Sequence, residues 1–270
     1  MTHSPQELRA LLDRHGLEPR RALGQNFVVD PNTVRRIARL AGVGPGDPVV
    51  EIGPGLGSLT LALVELGAEI TVVEMDRDLV PVLREVVEPL GVRVVEGDAR
   101  EVDWTELLAA HERWSLVANL PYNVATPLVL DLLRDVPRIG SMLVMVQREV
   151  GERLAAGAGE RAVGIPSMLV AYHGVAEVVG RVPATVFHPQ PKVESVLVRI
   201  ERHEEPPVSL PLAEIEPVLR AAYGQRRKML RRSLVDLIDP DGFAAADVDP
   251  TARPETLDLA AWARLAAQRG

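Results

Sequence analysis

The sequence predicts an α/β protein: a parallel sheet covered by helices on both faces, with a small all-helical domain at the C-terminal end. Three observations carry this. Between residues 48 and 147, short apolar, β-branched runs alternate with segments of helical pattern, which is how strands buried on both faces read. A glycine-rich turn (Gly53, Gly55, Gly57) separates the first of these runs from the helical segment after it, as a strand-to-helix unit with a close backbone approach requires. Beyond "HEEPPVSLP" (203–211) the pattern becomes purely helical.

Residues 1–24 read as a polar helix followed by the basic linker "EPRRALG". In "DPNTVRRIARLAGV" Asp30 is placed as N-cap and Pro31 as the first helical residue, the position where proline fits. "PVVEIG" is a strand, and "SLTLALVEL" a helix stopped by Gly67. "EITVVEM" is the second strand of the series, followed by "RDLVPVLREVV", a helix with Asp76 as its expected cap. "VRVVEGDA" and "WSLVANL" are the third and fourth strands. "TPLVLDLLR" is a helix with Thr126 as expected cap and Pro127 at its first position, and "SMLVMVQ" is the fifth strand. The segment "AAGAGERAVG" (155–164) reads as a flexible loop, and residues 174–202 supply late strands around a Pro-rich turn. A boundary near residue 204 divides an α/β domain, 1–203 with its N-terminal helical extension, from a helical domain, 204–270.

Composition limits the function. The chain has 270 residues, 47% of them hydrophobic, enough for a sizeable core. It has no cysteine, which excludes disulfides and thiolate metal sites, and no metal site is expected. No apolar run reaches the length of about 18 residues that a membrane helix needs. The segment "MTHSPQELRALLDRHG" is too polar for a signal peptide, so a cytoplasmic location is expected. The formal net charge of −8 opposes bulk affinity for nucleic acid. Against that sum, "RAAYGQRRKMLRR" (220–232) carries basic residues and no acid.

Four successive strand ends hold the chemistry. The first is the glycine turn itself, which departs from the dinucleotide pattern because Ser58 stands at its last position. Glu74 ends the second strand, where a carboxylate can accept both hydroxyls of a ribose. Asp98 ends the third in "EGDA", where a carboxylate can accept an exocyclic adenine amine, and Asn119 ends the fourth in "NLPY". One strand-end acid alone is usually a solvated side chain. Four such ends in series, on the side of a parallel sheet where ligands bind, define a nucleoside cleft.

This set resembles the Rossmann-like S-adenosylmethionine-dependent methyltransferase fold, whose cofactor loop has the form E-x-G-x-G-x-G. That resemblance implies S-adenosylmethionine as cofactor. "NLPY" is similar to the [ND]-P-P-[YF] element of amino-methylating enzymes. An exocyclic adenine amine is a poor nucleophile because its lone pair is delocalised into the ring. Acceptors at the Asn119 side chain and the Leu120 carbonyl would localise that lone pair, Pro121 fixes the turn, and Tyr122 offers a face for base stacking.

Across almost the whole chain, "LGQNFVVDPN" (23–32), "EIGPGLGSLT" (51–60), "NLPYNV" (119–124), "VFHPQPKVESVLVRI" (186–200), "YGQRRKMLRRSL" (223–234) and "RPETL" (253–257) resemble the small-subunit rRNA adenine N6,N6-dimethyltransferase family, whose loss is linked to kasugamycin resistance. The resemblance implies a monomer that dimethylates two adjacent adenosines near the 3′ end of small-subunit rRNA, in the immature small ribosomal subunit. It implies cofactor contacts at Asn26, Val28, Gly53, Gly55, Glu74, Met75, Asp98, Ala99 and Asn119. Catalytic roles fall to Asn119, Leu120, Pro121, Tyr122 and Phe187, with Phe187 stacked on the target base opposite Tyr122. Arg226, Arg227, Lys228, Arg231 and Arg232 would contact RNA from one helix, with Arg227 and Arg231, and Lys228 and Arg232, sharing faces at i,i+4. Other readings are a macrolide-resistance large-subunit rRNA methyltransferase, a non-catalytic assembly factor, and a nicotinamide dehydrogenase, the last opposed by the glycine spacing and by "NLPY".

Overall fold

The computed structural model describes residues 2–20 and 23–270. Helix α1 (Pro5–His15) opens on a capping box in which Ser4 and Glu7 satisfy each other's backbone N–H groups. A two-residue strand, β1 (Phe27–Val28), precedes α2 (Pro31–Leu40). The expected Asp30 cap is present, its side chain accepting from Thr33 N at 2.8 Å. The alternating series follows: β2 (Pro48–Ile52), α3 (Ser58–Glu65), β3 (Glu69–Glu74), α4 (Val80–Val87), β4 (Arg93–Glu96), a short α5 (Trp104–Leu107), β5 (Trp114–Asn119), α6 (Ala125–Asp135) and β6 (Ile139–Gln147). Next come α7 (Arg148–Leu154), α8 (Ile165–His173), β7 (Gly174–Val182), β8 (Phe187–His188) and β9 (Ser195–Arg202). Four helices complete the chain: α9 (Leu212–Gly224), α10 (Leu230–Ser233), α11 (Pro240–Ala245) and α12 (Leu259–Ala266).

Two expected caps are replaced. Helix α4 starts after Leu79, and Asp76 contributes its carbonyl to Leu79 N and Val80 N while its side chain is committed elsewhere. Helix α6 starts after Val124 without a side-chain cap, so Thr126 and Pro127 lie inside its first turn.

The main sheet has seven strands in the order β4-β3-β2-β5-β6-β9-β7. The pairs β2–β3, β3–β4, β2–β5 and β5–β6 are parallel, while β9 runs antiparallel to β6. The chain moves outward from β2 through β3 to β4, then returns to place β5 on the other side of β2. The strand order reverses at β2, and the carboxyl ends beside such a switch point form the crevice where α/β sheets bind ligands. A separate antiparallel pair joins β1 to β8, with Phe27 opposite His188 and Val28 opposite Phe187.

The chain folds into two compact units. The first comprises Met1–Gly151 and Glu177–Glu201; the second comprises Glu152–Ala176 and Arg202–Gly270. The linear division at residue 204 therefore differs from the spatial one. Helix α8, which the sequence pattern does not announce, packs Met168 into the helical core with Ile215, Leu219, Leu230 and Trp262. Ala156 and Val163, from the segment expected as a loop, are buried in the same cluster. In the first unit, Val49, Ile70, Val72, Val117 and Leu143 of the sheet are buried with Ile37, Leu63 and Leu83 of the helices. A smaller cluster joins Leu8 and Leu12 of α1 to Phe27, Leu56, Leu79 and Val82.

Trp262 is fully buried, and its indole Nε1 has no hydrogen-bond partner among the described residues. Its contribution is therefore packing alone. Trp262→Ala should cost about 3–5 kcal/mol of stability, read from denaturant unfolding, whereas Trp262→Phe, which forfeits no hydrogen bond, should cost much less.

Candidate active site

A cleft of about 290 Å³ opens at the carboxyl ends of β2, β3 and β5, within the first unit. Its lining includes the glycine turn, Glu51, Glu74, Met75, Asp98, Ala99, the segment Leu23–Val28 and the run Asn119–Val124. All the cofactor residues expected from the sequence meet here, as do Leu120, Pro121 and Tyr122.

The glycine turn has a local cause. Gly55 has φ 61°, and a Cβ added to it would lie 2.7 Å from Phe27 Cε1. Both the left-handed backbone and the Phe27 ring exclude a side chain. At Gly53, with φ 67°, an added Cβ would meet nothing within 4 Å. It would occupy free space at a cleft-lining position, the space a ligand would take.

Glu74 is buried, 5% exposed, at the end of β3. Gly55 N donates to its Oε2 at 3.0 Å and Asp76 N to its Oε1 at 2.9 Å. Burial raises its pKa, while the two backbone donors act in the opposite direction. Each oxygen keeps acceptor capacity, as a ribose acceptor must. Met75 beside it is 44% exposed and forms an apolar wall.

Asp98 lies in the turn after β4 and is gripped by Arg100. Arg100 N and Nε donate to Oδ1 at 2.9 and 3.1 Å, and Nη2 donates to Oδ2 at 2.6 Å. The Arg100 side-chain bonds hold the Asp98 carboxyl below its ordinary pKa. The expected base-reading acid is thus charged and already covered by a guanidinium, and a bound adenine amine would share or displace that partner.

Asn119 ends β5, and its Nδ2 donates to the Asn26 carbonyl at 2.9 Å. A carbonyl accepts only from the amide nitrogen, which leaves Oδ1 as the acceptor. Tyr122 shares a 2.6 Å hydrogen bond with the hydroxyl of buried Ser195, which anchors the phenol, and burial raises the Tyr122 pKa. Asn123 packs close to Gly24, its Oδ1 lying 3.1 Å from a Cβ built there.

Phe187 is placed apart. Its ring is 4% exposed and belongs to the hydrophobic cluster that holds Val28, Val34 and Leu197, and it does not line the cleft. The register of β8 against β1 sets Phe187 opposite Val28.

In the second unit, the single basic helix is interrupted. Helix α9 ends at Gly224, Arg227 and Lys228 occupy a turn, and Arg231 and Arg232 lie on α10. The expected i,i+4 faces do not form. Arg226 is engaged within the unit, with Nη2 donating to the Arg161 carbonyl at 2.9 Å and Nε 3.5 Å from Glu255 Oε2. The other four cations are exposed.

Three cleft or supporting residues are not singled out by the sequence pattern. Glu51, fully enclosed, accepts from Thr60 Oγ1 at 2.6 Å, and its place in the E-x-G-x-G-x-G run was the available signal. Ser195, the anchor of Tyr122, stands in "PKVES". Gln25 stands in "GQNF" and bonds Asp76.

Known proteins accord with this geometry. A family model described as ribosomal RNA adenine dimethylase matches residues 16–267. The chain belongs to the ribosomal RNA adenine dimethylase family. It is an S-adenosylmethionine-dependent rRNA adenine dimethyltransferase, and the glycine turn, Glu74 and the free space at Gly53 fit that cofactor. It is 47% identical to the ribosomal RNA small subunit methyltransferase A of Nocardia farcinica, over 98% of this chain and 94% of that protein. It is 46% identical to the protein of the same name from Leifsonia xyli, over 98% and 97%. Among solved structures, the 23S rRNA methyltransferase ErmE is similar with a TM-score of 0.69 and 26% identity, over 90% of this chain and 99% of that one. A dimethyladenosine transferase from Plasmodium falciparum shares the fold with a TM-score of 0.73 at 23% identity, over 87% and 94%.

Burial pushes the Glu51 carboxyl from an ordinary 4.5 up to about 8. Between those values the folded chain keeps a proton that the unfolded chain releases, so stability falls as pH rises through the window. Glu51→Gln should flatten this fall without removing the share contributed by Glu74. Thermal melting of the cofactor-free protein across that range measures the difference.

Proposed function

We propose that this enzyme dimethylates N6 of two adjacent adenosines in a hairpin near the 3′ end of small-subunit rRNA, acting on the immature small ribosomal subunit in the cytoplasm. The observation that carries this reading is the bond from Asn119 Nδ2 to the Asn26 carbonyl. It leaves Oδ1 to accept a hydrogen from the target amine. The choice of rRNA is supported by relatives named small subunit methyltransferases, 42–47% identical over nearly the full chain.

S-Adenosylmethionine supplies, when bound, a methyl group activated by a sulfonium. The chain's own work is to present the amine. Asn119 Oδ1 and the Leu120 carbonyl hold the N6 hydrogens, so the nitrogen lone pair is withdrawn from the ring and free to face the donor. Pro121 sets the turn that brings these two acceptors together. Tyr122, its hydroxyl held by Ser195, offers a fixed ring for base stacking, a contact worth about 1–3 kcal/mol in single-strand binders. No strong base is needed, because N6 becomes acidic as it bonds to carbon and its proton passes to solvent. Catalysis on this reading is positioning and preorganised polarity. In the helical unit, exposed Arg227, Lys228, Arg231 and Arg232 contact phosphates, which orients RNA without reading its sequence.

Methyl-labelled cofactor supplied with small or large subunits, followed by digestion of the rRNA, tests the assignment. Dimethyladenosine should appear from the small subunit; label from the large subunit alone overturns the choice of substrate. Asn119→Ala should keep the fold and much of the cofactor affinity while transfer drops by about 10²–10³-fold, the range for loss of one preorganised polar group. Full activity in that variant would remove Asn119 from the mechanism. Reversing charge at Arg227 and Arg231 together should weaken subunit binding and spare cofactor binding, as measured by filter binding; unchanged subunit affinity rejects the phosphate-contact role.

A further inference from the structure

Asp76 is 3% exposed, yet it is neither a helix cap nor a lining residue of the cleft. Its side chain is fully engaged. Gln25 Nε2 donates to Oδ2 at 2.7 Å, and Oδ1 accepts from Arg20 Nη1 at 3.0 Å and from Asp78 N at 3.1 Å. Arg20 also pairs with Asp78, and Arg20 N donates to Gln25 Oε1 at 2.7 Å. A buried carboxylate with these donors is satisfied, and removing it strands them.

The partners sit on a segment that crosses the site. Leu23–Asn26 lines the cleft. At one side Gln25 is held by Asp76, which also donates its own N–H to Glu74 Oε1 at 2.9 Å. At the other side, a Cβ on Gly24 would lie 3.1 Å from both Pro121 Cβ and Asn123 Oδ1, and the Asn26 carbonyl accepts from Asn119 Nδ2 at 2.9 Å. The segment thus spans from the exit of β3 to the exit of β5.

We propose that Asp76 is a positioning residue for methyl transfer: by holding Gln25 it locks the Leu23–Asn26 segment over the cleft, and through the Asn26 carbonyl it sets the Asn119 amide with its oxygen toward the target amine. This rests on the role given to Asn119 above. Asp76 touches no reacting atom. Its influence passes through two hydrogen bonds and the backbone between adjacent residues.

The test compares wild type with Asp76→Ala, Gln25→Glu and the double variant Gln25→Glu/Asp76→Asn. Gln25→Glu sets two carboxylates against each other, and the double variant restores one donor and one acceptor with their roles exchanged. Amide hydrogen exchange on the cofactor-free full chain reads the lock without reference to any substrate. Exchange at Leu23 and Gln25, whose N–H groups donate to the Arg20 carbonyl at 3.1 and 3.3 Å, should rise by about tenfold or more in the two single variants, as local opening becomes easier, and return toward wild type in the double. Methyl transfer to small subunits should lose about 10²-fold in kcat, the scale of a misplaced reacting group, with KM for the subunit nearly unchanged, and should recover in the double variant. Unchanged exchange in both single variants overturns the lock. Faster exchange with undiminished kcat overturns the coupling to Asn119. No recovery of either readout in the double variant reduces Asp76 to a fold residue and overturns the proposal. If wild type transfers no methyl to any rRNA while the exchange pattern is as expected, the functional reading and the coupling built on it fall, and the lock itself remains.

Discussion

The Glu74 carboxylate, buried at the exit of β3 and accepting one backbone N–H from Gly55 and one from Asp76, is the interaction on which the site depends. It ties the turn after β2 to Asp76, two residues beyond β3, across strands already in register with Ile52 opposite Val73. A buried carboxylate is tolerated only when its lone pairs are met. The glycine turn therefore has to hold the backbone angle that aims Gly55 N at Glu74, and the Phe27 ring over Gly55 keeps that backbone bare. If Glu74 accepts the cofactor ribose as proposed, structure and cofactor recognition draw on the same carboxylate.

From that point the constraint spreads by short steps. Asp76 follows Glu74 and holds Gln25; Asn26 follows Gln25 and holds Asn119. Each link is a hydrogen bond of ordinary length between groups that are buried or half-buried, where such bonds are strengthened and missing ones are costly. The Asn119 amide, proposed to face the target amine, is thus oriented before any ligand arrives. The mechanism proposed above, which uses no strong base, demands this, since its rate depends on geometry and fixed dipoles.

The chain's acidic balance, −8 overall, is compatible with rRNA as substrate because the basic residues are not spread evenly. Many surface arginines are spent on neighbouring acids, among them Arg84 with Glu88, Arg134 with Asp131 and Arg220 with Glu216. Arg226 is spent in the same way, on Glu255 and the Arg161 carbonyl. In the 220–232 stretch, Arg227, Lys228, Arg231 and Arg232 are exposed on the helical unit. On the proposed reading these cations would supply phosphate contacts and orientation, leaving selection to the shape of the folded RNA.

The sequence by itself determined the alternating strands and helices, the glycine turn, the Asp30 cap and the succession of Glu74, Asp98 and Asn119 near the strand exits. These are local: a cap acts over three residues, a strand pattern over five or six, and a strand-end acid is read from the strand before it. Only the tertiary structure decided where those side chains spend their bonds. Asp76 reads as a cap until the fold brings Gln25 to it from 51 positions away in the chain. Phe187 reads as a stacking ring until the pairing of β8 with β1 places it in the core. Arg220–Arg232 reads as one basic helix, but the turn after Gly224 and the Arg226–Glu255 contact divide it. Helix α8 joins the C-terminal helices because Met168 and its neighbours find their apolar partners there, not among the residues nearest in sequence. Propensity and periodicity extend over a few residues, whereas burial and hydrogen-bond partners are settled by which distant segments the chain crossings bring together.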